Sequence, residues 1–374
     1  IVRLVGSEMC IRDSFTDYRK ESSIFPNNTQ KFWFAVLILA SCTFPFFLSS
    51  YWKLLVTTSL LTAIACWGLN IVSGLAGQIN LAHGVFVGIG TYVSAIIGGV
   101  ATSSVIGYEL DMIIWLPLSG LAAAFVGILI SPVSARLKGL NLGLVTLALV
   151  FIGAHFFSNL KFITGGAGLG RKAASLKFLG QDLEAGLQIG NVLLEKNDII
   201  YYFSLLLCIV MGLGVKNLTR SKIGRAFSAI RDRDIAAEAL GINLFKFKMY
   251  AFALSSFYAG IAGSLLFTIA GGVEPGTFNL LYSIIFIAIV IIGGAGTVLG
   301  PLYGAFFFTT LPGIIQAVLH ATGLSDTGFF LNAGEIERIV FGFFIIFFLI
   351  FEPRGLWGIW FRLRNYFKAW PFSY

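Results

Sequence analysis

Charge is scarce in this chain. Of its 374 residues only 12% are charged and 57% are hydrophobic, against roughly 25% and 45–50% in soluble globular domains. An ordinary soluble fold is excluded. Histidine is rarer still, with His83, His155 and His320 far apart, and the cysteines Cys10, Cys42, Cys66 and Cys208 share no C-x-x-C spacing. A membrane enzyme, or a metal or redox centre, would need such groups clustered on facing helices. No catalytic residue, metal site or cofactor is therefore expected, and the scattered cysteines read as packing residues. Asp and Glu are missing from the interiors of the apolar runs. An ion-coupled secondary transporter normally places ionisable groups there, so this absence favours energy supplied from outside the chain. A phosphate-binding loop is lacking as well. Gly165 to Lys172 imitates one, but Arg171 stands where the lysine should be and Lys172 replaces the hydroxyl residue that would meet magnesium.

Long apolar runs are what the chain has in abundance. A hydrocarbon core about 30 Å thick takes about 20 apolar residues per helical crossing. Runs of that kind lie at about 32–50, 52–73, 79–100, 112–131, 142–158, 199–215, 249–271, 281–299, 302–320 and 337–352. They show none of the period-two alternation of an outer-membrane barrel. The expected fold is all-α, a polytopic membrane bundle of about ten transmembrane helices. Between Gly74 and Gly90 glycine is so frequent that a broken or re-entrant element is expected, which a membrane tolerates only inside protein. The first run starts near Phe32 without a small-residue cleavage pattern and is expected to stay as a helix. The opening stretch Ile1 to Ser14 has no membrane or globular logic; it resembles an artefactual scar and is set aside.

The net charge of +8 could suggest nucleic acid, but the basic residues sit in loops between apolar runs, where they orient a membrane protein. Lys216, Arg220, Lys222, Arg225, Arg231, Arg233, Lys246 and Lys248 crowd one such loop against Asp232, Asp234 and Glu238. That segment, 216–248, is expected in the cytoplasm. Counting ten helices outward from it places Arg136, Lys138, segment 1–31 and the tail 353–374 on the same side. The loop holding Asp326, Glu335 and Glu337 then falls outside. The segment Asn159 to Asp198 also falls outside, with Lys161, Arg171, Lys172, Lys177 and Lys196 nearly balanced by acids.

Within the basic loop, Gly224-Arg-Ala-Phe-Ser-Ala-Ile-Arg-Asp-Arg-Asp-Ile-Ala-Ala-Glu-Ala-Leu-Gly-Ile-Asn243 is too polar to span. Its pattern lets Ala226 with Ile230, then Ala237 with Leu240, line one face of short helices. Such an element docks into a groove on a partner or lies on the membrane surface. A purely structural scaffold would have no need of it.

These residues resemble the branched-chain amino-acid permeases of bacterial ATP-binding-cassette (ABC) importers, on the LivM side of the paired subunits. Gly-Arg-Ala, Ala-Ile-Arg and Ala-Ala-Glu-Ala-Leu-Gly-Ile-Asn are similar to that family's cytoplasmic coupling loop. Ala251-Phe-Ala-Leu-Ser-Ser-Phe-Tyr-Ala-Gly-Ile-Ala-Gly263 follows as it does in the family. The glycine-rich element Gly68 to Tyr92 is similar too, with Asn80 and Ala82 in place of the commoner Ser and Gly. Thr164-Gly-Gly-Ala-Gly168 after Thr146-Leu-Ala148, Gly293 to Gly304, and Pro353-Arg-Gly355 complete the resemblance from about Trp67 to Trp360.

The resemblance implies a permease subunit moving branched-chain or other small amino acids across the bacterial inner membrane. Relatives carrying urea or short amides leave those cargoes open. It implies a homologous permease as heterodimer partner, two ATPase subunits, a periplasmic or lipid-anchored substrate-binding protein and membrane lipid, and no nucleic acid. Gly224, Arg225, Arg231, Ala237, Glu238 and Gly241 are the expected coupling residues, with Gly241 turning the chain at the end of the coupling helix. Thr164, Gly165 and Gly166 are expected to meet the binding protein. In segment 32–352, Gln78, Asn80 and His83 put hydrogen-bonding groups beside an apolar helix, where they either line a path for a zwitterion or tie helices together. Gly84 with Gly88, and Gly296 with Gly300 and Gly304, fall four apart and are expected to bring helix backbones close. His155 and His320 sit at expected helix ends and read as interfacial.

Overall fold

The computed structural model describes residues 28–102, 105–137, 139–166, 168, 170–178, 180–183, 186–189, 192–322, 333–352 and 354–369. The expectations for residues 1–27, Lys138, Asp326, Pro353 and the last residues of the tail lie outside them, as do the side chains of Glu337 and His320.

The apolar runs fold as helices. In chain order these are α1 Asn28–Thr43, α2 Ser50–Asn70, α3 His83–Ile97, α4 Met112–Arg136, α5 Leu140–Asn159, the single turn α6 Lys161–Thr164 and α7 Lys196–Arg220. Then come α8 Lys222–Asp232, α9 Asp234–Ala239, α10 Leu244–Ala270, α11 Leu280–Gly293, α12 Gly300–Thr322, α13 Ala333–Phe351 and α14 Gly355–Ala369. Six of these helices, four of them trimmed or extended at an end, are long and apolar enough to cross a membrane, and four shorter apolar helices accompany them among the described residues. The ten match the ten runs in the sequence one for one. The chain is an all-α polytopic bundle.

Short antiparallel strands decorate one end of the bundle. β1 Arg171–Lys172 pairs with β6 Gly272–Val273, β2 Lys177–Phe178 with β3 Gln181–Asp182, and β4 Leu187–Ile189 with β5 Val192–Leu194.

The core is built on α10, which packs against α2, α3 and α4. Lipid tails give apolar helices no hydrophobic reason to associate, so close backbone approach through small residues has to do so. A Cβ on Gly68 of α2 would lie 2.7 Å from the Ser255 carbonyl of α10. One on Gly260 of α10 would lie 2.6 Å from the Ser119 carbonyl of α4, and one on Gly90 of α3 would run into the Gly260 backbone. The apolar window of α2 is consequently 89% buried, while those of α4, α5 and α12 are only 28–33% buried and present their outer faces to lipid. Pro132 in α4 cannot donate to the Ile128 carbonyl, and the Ser131 hydroxyl takes that acceptor at 2.7 Å.

Several boundaries differ from the hydropathy reading. The run expected at 79–100 is helical only from His83 to Ile97, and the one expected at 281–299 stops at Gly293, because Gly294 takes φ +119° and breaks the ladder. Gly296, expected on a helix face with Gly300 and Gly304, lies instead in the connecting loop at φ +79°. The close approach it permits is to the backbone of Gly74.

Candidate coupling and translocation site

At the basic end of the bundle the chain leaves α7 and turns into α8. Ser221 caps α8, its Oγ accepting from the Ile223 and Gly224 amides at 3.2 and 3.3 Å. Gly224, Ala226, Phe227 and Ile230 form the buried face, while Arg225 is exposed and donates to the Arg220 carbonyl at 3.2 Å. Arg233 is extended and separates α8 from α9. In α9 Ala237 is buried and Glu238 exposed. Gly241, at φ +84°, closes α9: its amide donates to Glu238 and that of Ile242 to Ala237, satisfying carbonyls that a helix end leaves orphaned. Leu240 corrects the expected face. It follows the last turn of α9 and is 81% exposed, alongside Ile235 at 75%.

Arg231, at the end of α8, turns toward the membrane domain. Its Nη1 donates to the Gly74 carbonyl at 3.1 Å and its Nε to Asp232 at 3.2 Å. Gly74 lies in a π-turn, Ile71–Leu75, that follows α2. Opposite stands the Gly293–Gly300 loop, held by Asn70, whose Nδ2 donates to the Thr297 carbonyl at 2.8 Å and whose Oδ1 accepts from the Gly296 amide at 2.7 Å. Trp67 adds a bond from Nε1 to the Val298 carbonyl at 2.6 Å.

Between the π-turn and α3 the chain is not helical. This is the broken element expected from the glycines, and it carries the three candidate path residues. Asn80 Oδ1 accepts from the Ala82 amide at 3.0 Å, and the Thr146 hydroxyl accepts from the Leu81 amide at 3.1 Å. His83 is enclosed; one ring nitrogen bonds the Ala65 carbonyl at 2.9 Å and its ring meets Phe286 edge-on. Gln78 differs from both. It is 5% exposed, yet neither end of its amide has a partner within the chain. Buried polar groups are normally satisfied, so this amide is the one of the three with both ends open to a water, a partner or a passing solute. Gln78 also borders a cleft of about 250 Å³ with Ile79, Leu142, Arg231, Asp234 and Lys248. The structure therefore brings Gln78 together with Arg231, while Asn80 and His83 each tie backbone through one atom and leave the other, Nδ2 and Nδ1, buried without a partner within the chain.

The opposite end holds the glycine loop. Thr164 is buried, its hydroxyl donating to Leu160 at 3.1 Å and accepting from the Gly166 amide at 3.3 Å. Gly165 and Gly166 both have positive φ, and the first lies against the Gly170 carbonyl. Arg171, which mimicked a nucleotide-binding lysine in the sequence, is a staple. Its guanidinium donates to the carbonyls of Ile163 at 2.6 Å, Ile106 at 2.9 Å and Ala95. Burial pulls this guanidinium below the ordinary arginine range, and the Tyr92 hydroxyl offsets part of that shift. His155 is exposed near the end of α5, beside Asn159.

The family model described as the permease component of branched-chain amino acid transport systems matches residues 52–349. The chain belongs to this family. It is 29% identical over 339 residues to the high-affinity branched-chain amino acid transport system permease protein LivM of Salmonella typhimurium, covering 87% of this chain and 75% of LivM. It is 26% identical over 306 residues to the permease protein BraD of Pseudomonas aeruginosa, covering 79% and 91%. The autoinducer 2 import system permease protein LsrC of an Enterobacter is 28% identical over 248 residues, covering 64% and 66%. No solved structure matches the chain at a significant level. The permease is a transport component rather than an enzyme, and it belongs to an ABC importer.

Sequence reasoning missed Asn70 and Trp67 in this permease. Asn70 lies within the glycine-rich element and Trp67 directly before it, but hydropathy averages them into an apolar run. The signal was local: Asn70 stands four residues before Gly74, one helical turn, and a buried amide in a membrane helix needs a backbone partner. Ser283, which accepts from the Gly84 amide at 3.0 Å, was likewise silent, and Thr146 stood in the sequence only as part of the Thr-Leu-Ala run.

Proposed function

We propose that this permease imports branched-chain amino acids across the bacterial cytoplasmic membrane, with the basic end and both termini in the cytoplasm. The observation that carries this reading is the α8–α9 segment. It is packed onto the bundle by one face and presents exposed Ile235, Leu240, Arg225 and Glu238 on the other. Apolar side chains flanked by charges suit a groove between the lobes of an ATPase subunit. Gly224 and Ala237 seat the two short helices, and Gly241 sets the turn between α9 and α10.

The orientation follows from charge. Arg136, Lys222, Arg225, Arg233, Lys246, Arg354 and Arg364 are exposed and belong to the segments that counting helices assigns to one side, the basic bias expected of a cytoplasmic face. The opposite end, with Thr164, Gly165 and Gly166, then faces outward to a substrate-binding protein. A second, homologous permease completes the path, and two ATPases drive it. Only a differential affinity of ATP-bound and empty ATPases for the two permease states can switch the helices. Branched-chain cargo is favoured because the similarity to LivM extends over most of this chain. Segment 32–352 is the membrane domain and 216–248 its coupling loop.

The test is uptake in vesicles containing the permease with its neighbouring permease, ATPases and binding protein, comparing labelled leucine with urea. ATP-dependent leucine uptake that is lost in Gly241→Pro, with the complex still inserted, supports both cargo and coupling segment. Uptake that persists without ATP overturns the importer reading.

A further inference from the structure

The π-turn Ile71–Leu75 changes who bonds to whom. In a regular helix the Gln78 amide would donate to the Gly74 carbonyl; here it donates to Val72 at 2.9 Å, and the Ala76 amide donates to Ile71 at 3.1 Å. The Gly74 carbonyl is thereby released, and the Arg231 guanidinium takes it. The turn ends α2, where the last carbonyls lack partners within the helix, and it delivers one of these acceptors to a residue 157 positions away in the chain.

Three glycines make that reach possible. A Cβ on Gly77, at φ +67°, would lie 2.7 Å from Arg231 Cγ. One on Gly74 would displace Asn70 and the Gly296 amide, and one on Gly296 would stand 3.1 Å from both Arg231 Nη1 and the Gly74 carbonyl. Arg231 thus sits where three segments meet: the end of α8, the break between α2 and α3, and the loop between α11 and α12. The break and the loop are already joined through Asn70. Arg231 is the charged link from α8 to both.

We propose that Arg231 is the pin through which movement of the α8–α9 segment is carried into the membrane domain, rather than a contact to the ATPase. It is a positioning residue. Displacing α8 displaces the Gly74 carbonyl, and with it the non-helical stretch from Ala76 to Ala82 that carries the orphaned Gln78 amide. Asp232 pairs with Arg231 Nε at 3.2 Å on the exposed side of the guanidinium, a weak contact beside the bond to Gly74. This inference rests on the importer reading.

The experiment uses the full complex in vesicles and measures substrate moved per ATP hydrolysed, with whichever of leucine and urea the wild type transports. Arg231→Gln is expected to assemble and hydrolyse ATP while the substrate moved per ATP falls by roughly five-fold or more from wild type, the scale of an ordinary coupling energy. Arg231→Lys, which keeps the charge but not the planar fork, recovers part of the ratio. A merely structural role would lower the amount of assembled complex, measured by size exclusion, and leave the ratio alone. An assembled Arg231→Gln complex with the wild-type ratio overturns the pin. If that variant fails to assemble, Arg231→Lys decides on the same ratio, lowered in support or unchanged against. A wild type without ATP-dependent uptake overturns the importer reading itself, and the pin with it.

Discussion

Asn70 and Gly296 are 226 residues apart in the chain and 2.7 Å apart in space, Oδ1 to backbone amide. The same side chain donates to the Thr297 carbonyl, so one amide closes on two consecutive residues of the α11–α12 loop. Asn70→Leu removes both partners and leaves a part-buried N–H and C=O without them. The expected cost is about 1–3 kcal/mol, since intramembrane hydrogen bonds run weaker than a full buried orphan. Asn70→Asp keeps the acceptor for Gly296 and loses the donor to Thr297. Unfolding of the purified permease in denaturing detergent should rank wild type above Asp above Leu; equal stability of all three would show that the loop is held by other contacts.

The positive-φ glycines on the two sides of the coupling segment separate backbone strain from crowding. At Gly241 an added Cβ meets open space, so Gly241→Ala carries only the left-handed penalty of about 1 kcal/mol. Gly77→Ala adds the collision with Arg231 to a similar penalty. Transport per assembled complex should therefore fall further in Gly77→Ala than in Gly241→Ala. The reverse order would mean that the α9 turn, and not the seat of Arg231, limits coupling.

How much of this was visible in the sequence depends on the range of the interaction. The ten apolar helices were legible because each crossing must supply its own run of apolar residues. The break before His83 was legible because glycine accumulates there. The early stop at Gly293 was not, because hydropathy continues through Ala295 and Val298 while the backbone turns at Gly294. Leu240 was misplaced by extending helical periodicity one residue past the end of α9. The meeting of Asn70, Gly74, Arg231 and Gly296 was hidden for a different reason: each residue reads as ordinary glue, charge or turn until the fold brings the segments together.

Gln78 separates the two readings of the broken element. A buried amide without partners contributes nothing to stability that leucine would lose, and replacing it can even stabilise. Gln78→Leu should leave the unfolding of the permease unchanged or raised while reducing uptake, because an apolar side chain offers a zwitterion no hydrogen bond. His83→Leu, which gives up its bond to the Ala65 carbonyl, should instead lower stability by about 1 kcal/mol. A Gln78→Leu permease that is destabilised with uptake intact would assign Gln78 to helix tying alone.

Arg171 governs the opposite end. Its guanidinium gathers carbonyls from the end of α3, from the strand-like stretch at Ile106 and from α6, while β1 attaches its backbone to the residues after α10. Arg171→Met keeps much of the apolar stem and leaves three carbonyls without their donor, an expected cost of roughly 2–4 kcal/mol concentrated in this end. Because the affected groups are local, hydrogen exchange should rise at Gly98 to Leu110 and at Lys161 to Gly166 without rising in the α2 and α10 core. If binding-protein docking uses Thr164 to Gly166, the variant should also need more binding protein for half-maximal uptake, with the maximal rate nearly retained. Faster exchange with an unchanged requirement for binding protein would place the docking surface elsewhere on this end of the bundle.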